Sequence, residues 1–458
     1  MVSADTVDPG GEFHPLDPDR ILDTRPEQGE YDVAPLGVKT AGKATATGGT
    51  EGEFVFDPLG RGGLPTDAAD VLAVVMTITI TEPSHDGYLS VYPTGYEFGG
   101  GGGEDISALL TFGKGDNVPN LAIVGLGDGG TMTFNSNMTE QGTYHVVVDV
   151  FGWISTSNYG VGGSRLELVD PGRILDTRSL PNPRGSGVSL QAGDTMVLPI
   201  RGVDAVSPAQ PDIVPDDPAV TAVLVNIALV NQNPTSADTF VSITPRPLTP
   251  GSPRTANSLV KPGGIHANTT IIPVDPLTGN VAIYNNLGEL DIVIDMLGYF
   301  KSGVPAATNR GRVVPLEAPF RSFDTRKPEF GDTPLGHGSS EQWSFKNFAA
   351  SVTLNPGQTN EQKNPPQQGL IGDLFAVDLQ KLYPTDGNQP SYLQLYPGGL
   401  ATRPLSANIN FFPGEVVPNM ALVRYGTNGA GDDYVIEAYN DYGSVDYVLD
   451  VYAIVLDD

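Results

Sequence analysis

Cysteine is missing from all 458 residues. Its absence excludes disulfides, thiolate metal sites and a cysteine nucleophile, so the fold must be held by packing and hydrogen bonding alone. Histidine is scarce, and the five present (His14, His85, His145, His266, His337) show no metal-ligand spacing. G-x-S-x-G, H-E-x-x-H and P-loop patterns are missing too, so no catalytic constellation, cofactor or metal site is expected. Positive charge is in short supply: 25 basic against 54 acidic side chains leave a formal net charge of −29. Such a surface repels nucleic acid and anionic membrane by the same Coulomb interaction that keeps it soluble. The most apolar run, "VLAVVMTITI" at 71–80, is too short and too rich in threonine to span a bilayer, and the first twenty residues lack the basic and apolar regions of a secretion signal. Neither membrane insertion nor export by the usual signal is expected.

What the chain does have is Gly and Pro in quantity, 56 and 40, beside 39% hydrophobic residues in regularly spaced runs. That combination points to an all-β fold rather than disorder. It also has a phrase that recurs. "RILDTR" stands at 20–25 and again at 173–178, and "RSFDTR" at 321–326. Spacings of about 150 residues are too long for a solenoid repeat and right for a whole domain.

Further correspondences follow each phrase. After a variable Gly/Pro-rich stretch come the β-branched runs "VLAVVMTITI", "AVLVNIALV" and "DLFAVDLQKL", then "GYLSVYPTG", "TFVSITPRP" and "SYLQLYPGG". Next are "ISALLTF", "TANSLVK" and "SANINFF", and strands opened by Asn120, Asn268 and Asn419. Each copy ends on an apolar strand with a central aspartate, "YHVVVDVFGWI", "LDIVIDMLGYF" and "VDYVLDVYAIV". The fold class is therefore all-β: three tandem antiparallel β-sandwich, jelly-roll-like modules of about eight strands, at 1–154, 166–300 and 313–458. The linkers, 155–165 and 301–312, are short enough to keep neighbours in contact. A bent or linear string of touching modules is expected, because the altered end of the third copy resembles a terminus; a closed pseudo-threefold ring is the alternative.

Within the phrases Arg20, Asp23, Thr24 and Arg25 correspond to Arg173, Asp176, Thr177 and Arg178, and to Arg321, Asp324, Thr325 and Arg326. Strand alternation places the third position (Leu22, Leu175, Phe323) on the core face and the Asp with the second Arg on the other. A carboxylate gripped by a guanidinium, with the threonine hydroxyl capping backbone, makes a structural latch; the same residues alternatively line a pocket for a carboxylate or sugar acid. Asp149, Asp295 and Asp450 lie inside apolar strands, where an unpaired charge is costly, and the arginines of the opening phrase are their expected partners. The asparagines are expected to form turns or cap backbone.

The "GGGGG" at 99–103, followed by Glu104 and Asp105, leads into no helix and lacks alternating oxygen ligands, so it reads as an exposed loop. "DPDR", "PTDAAD" and "AGDD" read as solvated turns rather than calcium sites. Tyr96, Phe98, Tyr159 and Trp343 are the candidate sugar platforms if the chain binds glycans.

These motifs together resemble a repeat found in secreted proteins of high-GC Gram-positive bacteria and in their phages. Its pattern runs P-x-R-[IL]-L-D-T-R, G-[YF]-[LV]-x-V-[YW]-P, S-N-[LI]-N and [IV]-D-V-x-G-[YW], and the likeness covers nearly the whole chain. The resemblance implies an exported or virion-displayed β-module, often accessory to another protein, and brings no firm activity with it. The third copy departs from it by ending in "YAIV", which points to a different neighbour there, and the first has "SALLTF" where the pattern is rich in Asn. Two function classes remain: a structural protein of a phage particle, partnered by virion proteins with further copies of itself as a candidate partner, or an exported cell-surface protein that binds host glycan.

Overall fold

The computed structural model describes residues 10–25, 45–46, 51–96, 107–139, 142–178, 188–231, 238–250, 252, 254–331, 333–352, 366–380 and 389–458. The pentaglycine loop, Glu104, Asp105 and Phe98 lie outside the described residues. Regular structure among the described residues is antiparallel strand apart from short helical turns. The first copy forms β1 (Phe13–Asp23), β2 (Glu51–Phe56), β3 (Val71–Thr81), β4 (Gly87–Pro93), β5 (Leu110–Phe112), β6 (Asn117–Gly125), β7 (Met132–Met138) and β8 (His145–Ser155). The second forms β9 (Ser164–Asp176), β10 (Thr195–Pro199), β11 (Val220–Val230), β12 (Thr239–Thr244), β13 (Ser258–Val260), β14 (Ile265–Pro273), β15 (Asn280–Asn285) and β16 (Asp291–Ser302). The third forms β17 (Val313–Asp324), β18 (Ser339–Ser344), β19 (Gln367–Gln380), β20 (Ser391–Pro397), β21 (Ile409–Phe411), β22 (Val417–Arg424), β23 (Asp433–Asn440) and β24 (Ser444–Leu456).

Strand order is the same in each copy. One sheet runs β1-β8-β3-β6, β9-β16-β11-β14 or β17-β24-β19-β22, and the other β2-β7-β4-β5, β10-β15-β12-β13 or β18-β23-β20-β21. This is the two-sheet jelly-roll order, with first and last strands paired in the centre of the fold. Strands β2, β10 and β18 occupy the stretches that sequence patterning left as variable loop. Their exposed valines, Val55 and Val197, sit on sheet edges rather than in a core, so little apolar alternation marks them.

The first sheets are buried on both faces. In the third copy Ala421 and Val423 pack into the copy's own core, while Met420 and Leu422 join a cluster shared with the other two copies. In the second, Val223 and Val225 face inward, and Ala222 and Leu224 enter the shared cluster. Burial on both sides explains the continuous apolar runs of β3, β11 and β19, as it does in covered parallel sheets.

The copies close on one another. Phe13 pairs with Ser164, which merges two first sheets into one of eight strands. Leu166 N–H donates to the Gly311 carbonyl at 2.9 Å, and Gly11 and Val313 exchange backbone bonds of 2.9 and 3.1 Å. First meets second, second meets third, and third meets first, so the expected string is corrected to a pseudo-threefold ring. The physical reason lies partly in the altered end of the third copy. Tyr452 is buried in the shared cluster and its hydroxyl lies 3.3 Å from Ser107 Oγ of the first copy, so this end is a contact rather than a terminus.

Candidate functional site

The recurring phrase ends the first strand of each copy, where that strand meets the last. Arg20 lies opposite Asp149, Arg173 opposite Asp295, and Arg321 opposite Asp450. A register shift follows each arginine, between Arg20 and Leu22, Arg173 and Leu175, and Arg321 and Phe323. A bulge here turns the arginine back over the sheet, and it breaks the expected alternation: Ile21 and Leu22 are both buried, as are Ile174 and Leu175.

The pairing is bidentate in every copy. Arg20 donates from Nε to Asp149 Oδ1 at 2.8 Å and from Nη2 to Oδ2 at 3.2 Å. Arg173 reaches Asp295 at 2.9 and 3.4 Å, and Arg321 reaches Asp450 at 2.9 and 3.0 Å. The second arginine of each phrase clamps the phrase's own aspartate: Arg25 on Asp23 at 2.9 and 2.6 Å, Arg178 on Asp176 at 3.0 Å twice, Arg326 on Asp324 at 2.8 and 2.7 Å. Arg20 Nη1 and Arg173 Nη1 join the two pairs by donating to Asp23 and Asp176 at 3.1 and 3.2 Å. Thr24, Thr177 and Thr325 each accept a last-strand N–H, from Val146, Ile292 and Tyr447, at 2.9 Å. The threonines therefore stitch the first strand to the last where the ladder ends.

Burial sets the electrostatics. It pushes the Asp149 and Asp295 carboxyls up from the usual range, against the pull of Arg20 and Arg173. Burial acts the same way on Asp176 and Asp324, but there the charge and hydrogen bonds of Arg178 and Arg326 win and hold both carboxyls below it.

The arginines also reach the neighbouring copy, which sequence reasoning did not find. Arg20 Nη2 donates to the Arg254 carbonyl at 3.1 Å and Arg173 Nη2 to the Leu405 carbonyl at 2.7 Å. Ala256 N–H donates to Asp149 Oδ2 at 3.2 Å. The clusters of the first and second copies thus spend most of their polar capacity on protein partners, both inside the copy and across a seam.

The three asparagines stand at equivalent places on β6, β14 and β22, the edge strands of the first sheets, and all are buried. They are not turn residues. Each caps a carbonyl of its own copy: Asn120 that of Leu109 at 2.7 Å, Asn268 that of Asn257 at 2.5 Å, Asn419 that of Asn408 at 2.5 Å. Two also accept an edge N–H from a neighbouring copy, Asn120 from Met420 at 3.1 Å and Asn419 from Thr269 at 2.9 Å. Sheet-edge donors that would be orphaned at the axis are satisfied by amide side chains.

Other seam contacts carried no legible signal. Glu12 accepts from Arg165 Nε at 2.9 Å, and Lys261 pairs with Asp116 at 2.7 Å. The candidate sugar platforms are corrected in part. Trp343 stacks on Phe323 at 4.6 Å between ring centroids and donates to the Tyr447 hydroxyl, while Tyr159 packs edge-on to Trp153 at 4.7 Å.

No family model matches the chain, and no curated protein does. Among solved structures it is similar to one described as "The Triple Jelly Roll Fold and Turret Assembly in an Archaeal Virus", at 10% identity and a TM-score of 0.16 over 90% of this chain and 85% of that one. It is also similar to the N-terminal CBM22-1-CBM22-2 tandem domain of Paenibacillus barcinonensis Xyn10C, at 8% identity and a TM-score of 0.17 over 63% and 99%. A third is Broad Bean Stain Virus, at 9% identity and a TM-score of 0.17 over 58% and 89%. No helix among the described residues is long and apolar enough to cross a membrane.

Proposed function

We propose that the chain is a non-enzymatic structural protein of a bacteriophage particle, a capsid decoration or tail component, built of three modules of the actinobacterial repeat type. The observation that carries this reading is closure: three like jelly rolls meet around one axis, where Asn120 and Asn419 each accept an N–H from a neighbouring copy. A block with three similar faces suits a position of local threefold symmetry in a shell or tail, where a single chain takes the place of a trimer. The latch clusters support a structural role, since Arg20 and Arg173 place most of their donors on protein acceptors rather than holding them toward a ligand. Its partners on this reading are virion proteins.

Gold-labelled antibody against the chain, applied to particles and cell envelopes from the native source, tests this. Label on intact particles is the expected result. Label confined to the envelope would replace this reading with the exported, glycan-binding one. The non-enzymatic part is tested separately: purified protein should release neither reducing sugar nor peptide from host cell wall, and activity lost with one carboxylate substitution would overturn it.

A further inference from the structure

The three turns that lead into β6, β14 and β22 surround a cavity of about 550 Å³ at one end of the axis, lined by residues of all three copies. That volume is in the usual range for small-molecule sites, roughly 300 to 1,000 Å³. Its walls carry the aromatic rings of Phe112 and Phe412 and the Val417 side chain, interspersed with Asn117, Asn410 and the Lys261–Asp116 pair. His266 also lines it. Its Nε2 is buried and has no hydrogen-bond partner among the described residues, so one polar atom at this wall is unsatisfied by protein. Burial, and then the Lys261 charge, lower the pKa of this histidine to about 4, so the ring is neutral at neutral pH.

The positions around the cavity differ between copies although the asparagines a few residues on are alike. Asp116 corresponds in sequence to Gly264 and Glu415, and Val118 to His266 and Val417. A site on the axis of a true trimer would be forced to repeat each residue three times. One chain with three divergent turns can instead offer a single asymmetric site, able to hold one ligand in one orientation.

The wall chemistry narrows the ligand. A phosphate or other polyanion would face Asp86, Asp116 and Glu415 within a strongly acidic chain. A hydrocarbon would leave Asn410 and His266 Nε2 without partners, whereas Asn117 is already held by Thr81 and Asp238. We propose that the axial cavity binds a neutral, hydroxyl-rich ligand, a mono- or disaccharide, with a C–H face of the sugar on Phe412 or Phe112 and its hydroxyls on Asn410 and His266. This holds whether the chain sits on a particle or on an envelope, so its failure leaves the structural reading intact.

The test is saturation-transfer NMR on the full chain with glucose, galactose, mannose, N-acetylglucosamine and lactose, beside inorganic phosphate and tetramethylammonium. At least one sugar should receive saturation, with a dissociation constant weakened by about tenfold or more in His266→Ala, in Phe412→Ala and in Asn410→Ala. Three separate substitutions keep the test decisive if one of them fails to fold. No transfer to any of the five sugars, or sugar binding undiminished in every folded variant, would overturn the proposal. Phosphate or tetramethylammonium binding that is lost in the same variants while no sugar binds would also overturn it.

Discussion

Replacing Asn419 by Ala should loosen the axis where the second and third copies meet. The side chain donates to the Asn408 carbonyl at 2.5 Å and to Asn226 Oδ1 at 3.3 Å, and accepts from Thr269 N–H at 2.9 Å. Asn419 and Thr269 are wholly buried, so water cannot take over without the seam opening. Two backbone groups, the Asn408 carbonyl and the Thr269 N–H, would lose this partner. At about 1 to 3 kcal/mol for each buried group left unsatisfied, the expected loss is roughly 2 to 6 kcal/mol. Urea unfolding followed by tryptophan fluorescence gives the total, and hydrogen exchange at the Thr269 amide reports the seam itself. Trp343 lies in the third copy and reports that side of the seam, while the second copy has no tryptophan and is followed at the Thr269 amide. Stability within about 0.5 kcal/mol of the parent, with protection at Thr269 unchanged, would refute the reasoning.

Three further outcomes are expected. Asp176→Asn keeps the volume but breaks the bidentate pair with Arg178 and the bond from Arg173, and should destabilise the second copy by about 1.5 to 4 kcal/mol, measured by chemical denaturation. His266 has a folded pKa of about 4 against an ordinary value of 6.5, so the unfolded chain takes up the extra proton first as pH falls; stability should drop between about pH 6.5 and 4 by roughly 3 kcal/mol, and His266→Gln should flatten that part of the profile. Tyr452→Ala removes a buried ring from the shared cluster and should cost about 3 to 5 kcal/mol, whereas Tyr452→Phe, which keeps the ring and loses the 3.3 Å contact with Ser107, should cost about 1 kcal/mol, both read from thermal melts.

The jelly roll was legible because its strands carry strong local signals. Continuous β-branched runs and Gly/Asp turns mark β3, β11 and their successors, and the repeated phrase fixes the register between copies. The partnership of Arg20 with Asp149 was legible for a different reason: a charge in an apolar strand demands a counter-charge, and few arginines are available. The bulge at Ile21 was not, since one extra residue against the last strand leaves no mark in the first strand alone.

Closure of the ring did have a signal, in the unbroken apolar stretches "VLAVVM" of β3 and "AVLV" of β11. A sandwich strand with one wet face alternates, and these do not, so their outer faces had to be covered by something. The position of Asn120 within its strand was harder to read. An asparagine near a strand start has the same local pattern whether it shapes a turn or caps a neighbour's edge, and only the three-way packing of β6, β14 and β22 separates the two. Gly152 shows the same limit. A Cβ there would lie 2.3 Å from the Phe13 ring, a constraint imposed by a residue 139 positions away in the chain, while the third copy carries Ala453 opposite Pro315.

Small-angle X-ray scattering of the full chain in dilute solution measures the closure itself. A ring in which Gly11 bonds Val313 and Asn120 bonds Met420 is compact, and a compact body of this length should give a radius of gyration near ~23 Å with a pair-distance distribution of one symmetric peak. A clearly larger radius with a long tail at high distance would mean that the first and third copies stand apart, and would contradict the ring.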